Sequence, residues 1–390
     1  MSQIIRRIRP EEVVQLTSEL IRIPSENPPG DQRAVSEFIE SKIRDLGLVA
    51  EAYDCRPDKP NVVGLLSGKK RRPVLMLNGH VDTVPVGDKE SWEVDPHAAV
   101  VKEGRIFGRG AADMKGGLAA MLMAAKAIVE AGVELSGTLM LAAVVDEEVP
   151  PGGLGTRDLL EKGYRSDYAI IGEPTELRVQ TAHKGALWLE VTTKGKSAHS
   201  STPRLGVNAI YGMSKLCLLL EAMLPELEKN SHPLVGNPSI NVGTIQGGTS
   251  GNTVPELCRV VVDRRLIPGE KLADVKESLN RVLEKVRIEN PQLRIETRVL
   301  VEGEPSETSA GDPIVKASRE AVMQVKRKDP GVTGFTATCD MRLLVAKGIP
   351  TVILGPGSLN QAHKANEFVE IQQVVDAARI YALTAEKLLV

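Results

Sequence analysis

The 390-residue sequence is poor in three features that would assign it to a large functional class. Its four cysteines, Cys55, Cys217, Cys258 and Cys339, are far apart and form no Cys-X-X-Cys pair, which argues against a disulfide framework or a thiolate metal site. The formal net charge of -2 gives no sign of a surface for nucleic acid or an anionic membrane. No apolar run reaches the ~18 residues of a membrane-spanning helix, and the first residues lack a signal-peptide pattern. We therefore expect a cytoplasmic protein with reduced thiols that acts on small molecules or proteins.

Apolar residues recur in a pattern that predicts an α/β fold. Short, nearly continuous apolar runs, typical of strands buried on both faces of a mostly parallel sheet, lie at 74–77, 139–145, 168–171 and 350–354. The stretches 117–129 and 371–389 have the length and periodicity of helices that cover such a sheet. The chain is also too long for one ordinary core, so we expect more than one domain.

The order of predicted elements changes between about Gly185 and Val301. Strands are predicted at 187–193, 240–245, 257–266 and 293–301, and helices at 207–224 and 272–286. This βαββαβ order predicts a ferredoxin-like domain inserted into the larger one. We expect a catalytic domain made of 1–182 and 302–390, interrupted by an inserted lid or dimerisation domain at 183–301.

His80 and Asp82 stand two residues apart where an apolar strand is predicted to end. Side chains at i and i+2 of an extended segment share a face. An imidazole that binds a metal usually passes its other ring N–H to a carboxylate or carbonyl, so the pair is typical of a ligand and its supporting partner. Alone the spacing is weak evidence, because His-X-Asp also recurs in surface loops.

Further potential ligands or bases follow the other strands of the larger domain. They are Glu147 and Glu148, Glu173, and His363, with Asp113 in a glycine-rich segment before the predicted helix at 117–129. In open α/β sheets ligands bind outside the carboxyl ends of the strands, so these residues could converge. Two imidazoles and three carboxylates without a thiolate suit Zn²⁺, Co²⁺ or Mn²⁺. Each residue alone could be a solvated or turn residue, but their shared position at strand ends favours a metal centre.

Five segments resemble the acetylornithine deacetylase, succinyl-diaminopimelate desuccinylase and carboxypeptidase G family of co-catalytic zinc metallopeptidases, which are aminoacylase-like. In chain order they are Gly79 to Pro85, Gly108 to Gly117, Asp146 to Glu148, Gly172 to Thr175 and Ala362 to Glu367. The resemblance spans nearly the whole chain. It implies a zinc-peptidase-like catalytic domain with an inserted dimerisation domain, two divalent metal ions, with zinc as the first choice, and a homodimer.

The resemblance also implies roles for single residues. Asp113 would bridge two metal ions, with His80 and Glu173 completing one site and Glu148 and His363 the other. Glu147 would be the general base, Asp82 the partner of His80, and the Asp113–Met114 peptide would be cis.

The inserted domain contributes further candidates through the same resemblance. His199 matches a histidine that crosses a dimer interface and stabilises the oxyanion in the partner's site. Asn252 and Arg265 match positions that hold a substrate carboxylate, and arginine suits this role through its bidentate guanidinium. Strand alternation lets only one of Arg264 and Arg265 face the site, and the sequence leaves that choice open. Cys339 replaces a small hydroxyl residue in a Gly-Thr-Ser-Asp-like loop, and we expect it to be a small buried residue.

These features together predict a metal-dependent amidohydrolase that cleaves the amide bond of a small N-acyl amino acid, as acetylornithine deacetylase or succinyl-diaminopimelate desuccinylase does. A dipeptidase or carboxypeptidase with the same machinery is the alternative, and a non-catalytic homologue that only binds is a further one. The presence of all five ligands and Glu147 weighs against the non-catalytic reading. Glu173 weighs against the carbamoyl-amino-acid branch, which typically has histidine at this position.

Overall fold

The computed structural model describes residues 2–149 and 152–390, which form two compact units. The larger unit contains the chain up to Thr181 together with Glu307–Phe335 and Cys339–Val390. The smaller unit contains Ala182–Ser306 and Thr336–Thr338. Among the described residues, no helix is both long and apolar enough to cross a membrane.

The helices and strands of both units are numbered in chain order. The strands are β1 (Val49–Arg56), β2 (Lys59–Ser67), β3 (Val74–His80), β4 (Val100–Lys102), β5 (Arg105–Phe107), β6 (Thr138–Val144), β7 (Tyr168–Ile171), β8 (Gln180–His183), β9 (Gly185–Lys194), β10 (Ala198–His199), β11 (Ser239–Gly247), β12 (Thr253–Val254), β13 (Leu257–Leu266), β14 (Arg294–Gly303), β15 (Ser306–Glu307), β16 (Thr333–Phe335), β17 (Thr351–Ile353) and β18 (Phe368–Glu370). The helices are α1 (Pro10–Ile21), α2 (Arg33–Asp45), α3 (Gly116–Glu130), α4 (Leu154–Glu161), α5 (Ala209–Glu221), α6 (Leu224–Leu227), α7 (Leu272–Glu289), α8 (Pro313–Lys326), α9 (Met341–Val345) and α10 (Ile371–Leu389).

A mixed sheet with the strand order β1-β2-β6-β3-β7-β17-β8-β15, and with β16 paired to β8, carries the larger unit. The four strands β6, β3, β7 and β17 run parallel, whereas β1, β2 and β6 pair antiparallel, as do β17 and β8. The predicted α/β class is confirmed. Parallel pairing is confined to the centre, where α3 and α4 supply the crossovers that parallel strands require.

Helix α3 packs close to the residues that follow the central strands of the sheet. Nearly all of its side chains are buried, and it packs against α10. Gly117 lies at a close approach, because a Cβ atom there would be 2.4 Å from the carbonyl oxygen of Gly172. The glycine therefore lets the start of α3 rest against the chain that leads into Glu173.

A second, three-stranded sheet of the larger unit has the order β18-β5-β4. Phe107 at the end of β5 pairs with Phe368 at the start of β18, and the two strands are antiparallel. The exit of β5 and the entry of β18 therefore lie side by side. These are the points at which the chain enters the Asp113 segment and leaves the His363 segment.

The smaller unit is an antiparallel sheet of order β11-β13-β9-β14 with α5 and α7 packed on one face. Alternate residues of β13, among them Val260 and Val262, are buried with Leu216 of α5 and Leu279 of α7. The main elements follow the order β9, α5, β11, β13, α7, β14. The predicted βαββαβ arrangement is therefore the one observed, with β10, β12 and α6 as additions.

Candidate metal centre

His80 is the last residue of β3 and is almost fully buried, with 2% of its surface exposed. Its Nδ1 lies 2.9 Å from the main-chain oxygen of Asp82. Because a carbonyl oxygen only accepts, Nδ1 carries the proton, and in the neutral ring Nε2 keeps a lone pair. Nε2 points at carboxylates, 3.0 Å from Asp113 Oδ1 and 3.6 Å from Glu173 Oε1.

Asp113 reaches the same point from the segment between β5 and α3. Its peptide bond to Met114 is cis, as the family resemblance implied, and its backbone angles depart from the helical values around it. One carboxylate oxygen faces His80, and the other lies 3.3 Å from Nε2 of His363. Asp113 is thus the residue between the two imidazoles, which is the place a bridging ligand would occupy.

His363 and Glu148 form the other side of the cluster. Glu148 follows β6, and its Oε2 lies 3.0 Å from His363 Nε2. The Glu148 side chain is buried, whereas 54% of the His363 side chain is exposed. The cluster therefore opens to solvent beside His363, so a small ligand could enter there.

Charge interactions within the cluster shift its ionisation strongly. Burial alone would lower the pKa of His80, but the hydrogen bond to Asp113 and the charge of Glu173 raise that pKa well above its usual value. The hydrogen bonds to Asp113 and Glu148 raise the pKa of His363 to about 10. Burial raises the pKa of Glu173 and of Glu148, and repulsion from Asp113 adds to both. Protons thus compensate the crowded negative charge when no cation is bound.

Asp82 supports the cluster in two ways. Its carbonyl oxygen orients His80, while its fully buried carboxylate lies farther from the ring, with Oδ1 3.7 Å from Nδ1. Oδ1 instead accepts the backbone N–H of Glu147 at 3.2 Å, and Oδ2 accepts that of Glu148 at 3.2 Å. The carboxylate therefore fixes the segment that carries the predicted base.

Glu147 is partly buried beside this cluster. One of its carboxylate oxygens lies within 4.8 Å of ligand atoms of His80 and Glu173. Burial raises its pKa well above the usual range, and repulsion from Asp340 and Glu148 adds to this effect against the opposing influence of His80. A carboxyl group with a raised pKa is suited to accept and return a proton.

The donor set fits divalent cations. His80, Asp113 and Glu148 offer atoms within 4.8 Å of one another, and so do His80, Glu147 and Glu173. His363 extends the first group through its contacts to Asp113 and Glu148. Imidazole nitrogens and carboxylate oxygens without thiolates suit borderline ions such as Zn²⁺. The larger unit therefore holds candidate metal-binding residues, with Asp113 placed to serve two ions.

His199 and Asn252 lie together in the smaller unit. His199 in β10 pairs with Thr253 in β12, and the backbone N–H of Ser200 donates to the carbonyl oxygen of Asn252 at 3.0 Å. Both residues are exposed, and the His199 ring contacts the Ser201 hydroxyl at 2.7 Å. They form one polar surface on the smaller unit.

The two neighbouring arginines of β13 have different surroundings. Arg264 is 2% exposed and its guanidinium binds Glu270 and the carbonyl oxygen of Arg265. Arg265 is on the opposite face of the strand, where Nε lies 2.9 Å from Asp263 Oδ1. Arg264 is thus committed to an internal ion pair, which leaves Arg265 as the better candidate for a ligand carboxylate.

Cys339 is buried, with 1% of its surface exposed, as expected for a small packing residue. Burial raises the pKa of its thiol well above the usual range, and repulsion from Glu173 and Glu147 adds to this. The thiol is therefore kept neutral beside the carboxylates of the cluster.

Sequence reasoning did not identify two supporting residues of the larger unit. Asn27 donates from Nδ2 to the carboxylates of Asp82 and Asp146, at 3.0 and 2.5 Å. Glu367 binds backbone N–H groups of the Asp113 segment. For Asn27 the only sequence signal was the turn-forming Asn27-Pro28-Pro29 segment. Glu367 lies four residues after the candidate ligand His363, in the same motif.

Comparison with known proteins places this geometry in a family. Residues 76–387 match the family model described as peptidase family M20/M25/M40. An N-formyl-4-amino-5-aminomethyl-2-methylpyrimidine deformylase of Bacillus subtilis is 33% identical, in an alignment that covers 95% of this chain and 93% of the relative. An acetylornithine deacetylase of Vibrio campbellii is 33% identical over 353 residues, covering 89% of this chain and 90% of the relative.

A solved structure shows the same fold. The crystal structure of aminopeptidase PepT from Bacillus cereus aligns with a TM-score of 0.82 at 21% identity, covering 98% of this chain and 99% of that one. At this identity the similarity supports the fold and not a substrate.

Proposed function

We propose a substrate class and mechanism for this chain, which belongs to peptidase family M20/M25/M40 and is therefore a hydrolase of linear amide or peptide bonds. The substrate we propose is a small N-acyl amino acid, whose amide bond is cleaved by water. The observation that carries the proposal is the convergence of two imidazoles and the carboxylates of Asp113, Glu148 and Glu173, with Glu147 at its side.

In this proposal five residues would hold two divalent cations, zinc first and cobalt or manganese as alternatives. Asp113 would serve both ions, His80 with Glu173 would complete one site, and Glu148 with His363 the other. Bound there, such a pair supplies Lewis-acid chemistry, polarising a carbonyl group and lowering the pKa of water.

Glu147 acts as the general base of the proposed reaction. Its carboxylate accepts a proton from the attacking water and returns it to the departing nitrogen, because an amine leaves poorly without protonation. The hydrogen bond from its backbone N–H to Asp82 holds the residue in place. The partly buried position limits exchange of that proton with bulk solvent.

Support for an N-acyl substrate comes from two relatives of this chain. The names of the deacetylase and the deformylase relatives both describe removal of an acyl group from nitrogen. A dipeptidase or carboxypeptidase activity with the same residues is the second candidate, favoured by the description of the matching family as peptidases. The partner molecule is thus a small N-acyl amino acid or a dipeptide.

The smaller unit is proposed to act as the lid and dimerisation domain, within boundaries of 183–301 between catalytic parts 1–182 and 302–390. Support for a homodimer comes from an exposed edge strand, β11, with Ile245 55% exposed, and from Leu218 and Tyr211 exposed on α5. An unpaired edge beside apolar side chains is suited to pairing with a second copy.

Three residues of the smaller unit have proposed roles. His199 would stabilise the oxyanion in the partner's site, and Asn252 with Arg265 would hold the substrate carboxylate. The free state of the four cysteines supports our proposal of a cytoplasmic location.

The test is release of primary amine from a matched panel: N-acetyl, N-succinyl and N-formyl amino acids, an N-formylated aminomethylpyrimidine, and dipeptides. The protein is loaded with zinc or cobalt, and a sample treated with EDTA is the control. Metal-dependent release from one acyl-amino-acid class is expected. Release from dipeptides alone would favour the second candidate, and release only from the pyrimidine would refute the amino-acid substrate.

A further inference from the structure

Glu367 is the centre of an unusual set of hydrogen bonds in the larger unit. Its carboxylate is buried, and its whole residue is 1% exposed. Oε2 accepts the backbone N–H of Gly110 at 3.0 Å, and Oε1 accepts those of Ala112 and Asp113 at 2.9 and 3.1 Å. One carboxylate thus binds three N–H groups of the segment that carries Asp113.

Arg109 completes this arrangement. It is 2% exposed, and its Nη1 donates to Glu367 Oε2 at 2.6 Å and to the carbonyl oxygen of Lys364 at 3.3 Å. Its Nη2 donates to the carbonyl oxygen of Pro85 at 3.2 Å, and its guanidinium lies 5.2 Å from the Trp92 ring centroid. Arg109 therefore ties Lys364 and Glu367 to the Asp113 segment and to the residues after β3.

These contacts matter because His363 has little packing to hold it. More than half of its side chain is exposed, and its φ of 64° is an unfavourable left-handed value for a residue with a Cβ atom. Its position relative to Asp113 is set instead by the chain from Lys364 to Glu367. That chain is fastened to Gly108 by the main-chain bond from Gly108 N–H to the oxygen of Glu367, at 2.9 Å.

We propose that Glu367, braced by Arg109, is a positioning residue that holds Asp113 and His363 in register for metal binding. The inference rests on the proposed function. It explains why a buried carboxylate that touches neither imidazole is placed here, since four donors converge on it. Asp113 is shared by the two proposed ions, so loss of Glu367 should weaken both together.

The substitution Glu367→Gln tests this, because an amide keeps one acceptor oxygen and turns an N–H₂ group toward backbone donors on the other side. Glu367→Asp keeps the charge but shortens the side chain by one methylene, so it can no longer reach both sets of donors. Asp376→Asn is the matched control, because Asp376 is a 5% exposed carboxylate of α10 that binds Lys326 of α8 and Gln372 and Arg379 of its own helix, none of which is a proposed metal ligand.

The full-length protein is freed of metal and titrated with Zn²⁺ against a chromophoric chelator, while thermal unfolding in EDTA records the stability of each variant. We expect Glu367→Gln and Glu367→Asp to weaken both binding steps about 10- to 100-fold, as loss of a residue behind metal ligands typically does. Asp376→Asn should keep wild-type affinity at a comparable loss of stability.

Unchanged affinity in both Glu367 variants, with two ions bound by the wild type, would overturn the positioning role. If Glu367→Gln does not fold, Arg109→Lys replaces it, because the single nitrogen of a lysine ammonium cannot reproduce the separate contacts of Nη1 and Nη2. Affinity at the wild-type level would then refute the inference. A wild type that binds no metal would instead refute the proposed function, so the two failures are distinguishable.

Discussion

Asp82→Asn is the change that most sharply separates two ways of supporting His80. If the carboxylate of Asp82 orients the ring, its neutralisation should disturb metal binding. The structure instead gives that task to the carbonyl oxygen of Asp82, 2.9 Å from Nδ1, which the substitution retains. The carboxylate serves the backbone N–H groups of Glu147 and Glu148 and the amide of Asn27.

The size of the effect follows from the number of donors on each oxygen. Oδ2 accepts two donors and Oδ1 one, so the new amide should turn its oxygen to the Oδ2 side. Its N–H₂ group then faces the N–H of Glu147. One buried donor without an acceptor costs ~1–3 kcal/mol, and the partly exposed segment at Glu147 can relax, so we expect a loss of about 2 kcal/mol in unfolding free energy.

Because Glu147 loses its anchor while Glu148 keeps its own, catalysis should suffer more than metal binding. We expect kcat to fall about 10- to 100-fold with both metal equivalents retained. Urea denaturation of the metal-free protein, metal analysis and steady-state kinetics measure these effects, with Asp376→Asn as the control. Loss of metal from Asp82→Asn in proportion to the loss of activity would show instead that the carboxylate, and not the carbonyl oxygen, supports His80.

Two further predictions concern the base and the protons of the cluster. Glu147→Gln should lower kcat about 10²- to 10⁴-fold, the usual contribution of a general base, while the metal content stays the same; a variant that loses metal would be a ligand variant instead. Metal uptake at pH 7 should release protons, since the pKa values of His80, His363 and Glu173 are raised in the metal-free protein and these groups bind ions only after deprotonation. Affinity should therefore rise with pH, and titrations in buffers of different ionisation enthalpy that reveal no proton release would contradict the assigned ligands.

Much of the fold could be predicted from apolar runs. The runs at 74–77 and 168–171 became β3 and β7, and 257–266 became β13 without a shift. Strand direction was less accessible, because a continuous apolar run reports burial on both faces and not which neighbour will pair. The antiparallel strands β1 and β2 at the edge of the sheet were not predicted at all, and β1 is exposed or half-buried along its length, without a continuous apolar run.

The candidate site shows the same division. The rule that ligands gather at the carboxyl ends of strands correctly predicted that His80, Glu148 and Glu173 would meet. Whether the carbonyl or the carboxylate oxygen of Asp82 contacts the His80 ring could not be predicted, since both oxygens belong to the same residue. The role of Glu367 could not be predicted from the sequence, because its partners are mainly backbone N–H groups, which every residue except proline offers.

We propose above all that one cluster binds two divalent ions through a shared Asp113. The most direct test is a titration of the metal-free protein with Zn²⁺, with the bound ion measured after removal of the free ion, in wild type and in Asp113→Asn. We expect two equivalents in the wild type and weaker binding of both in the variant. A wild type that saturates at one equivalent, or a variant that loses only one of two, would contradict a shared Asp113.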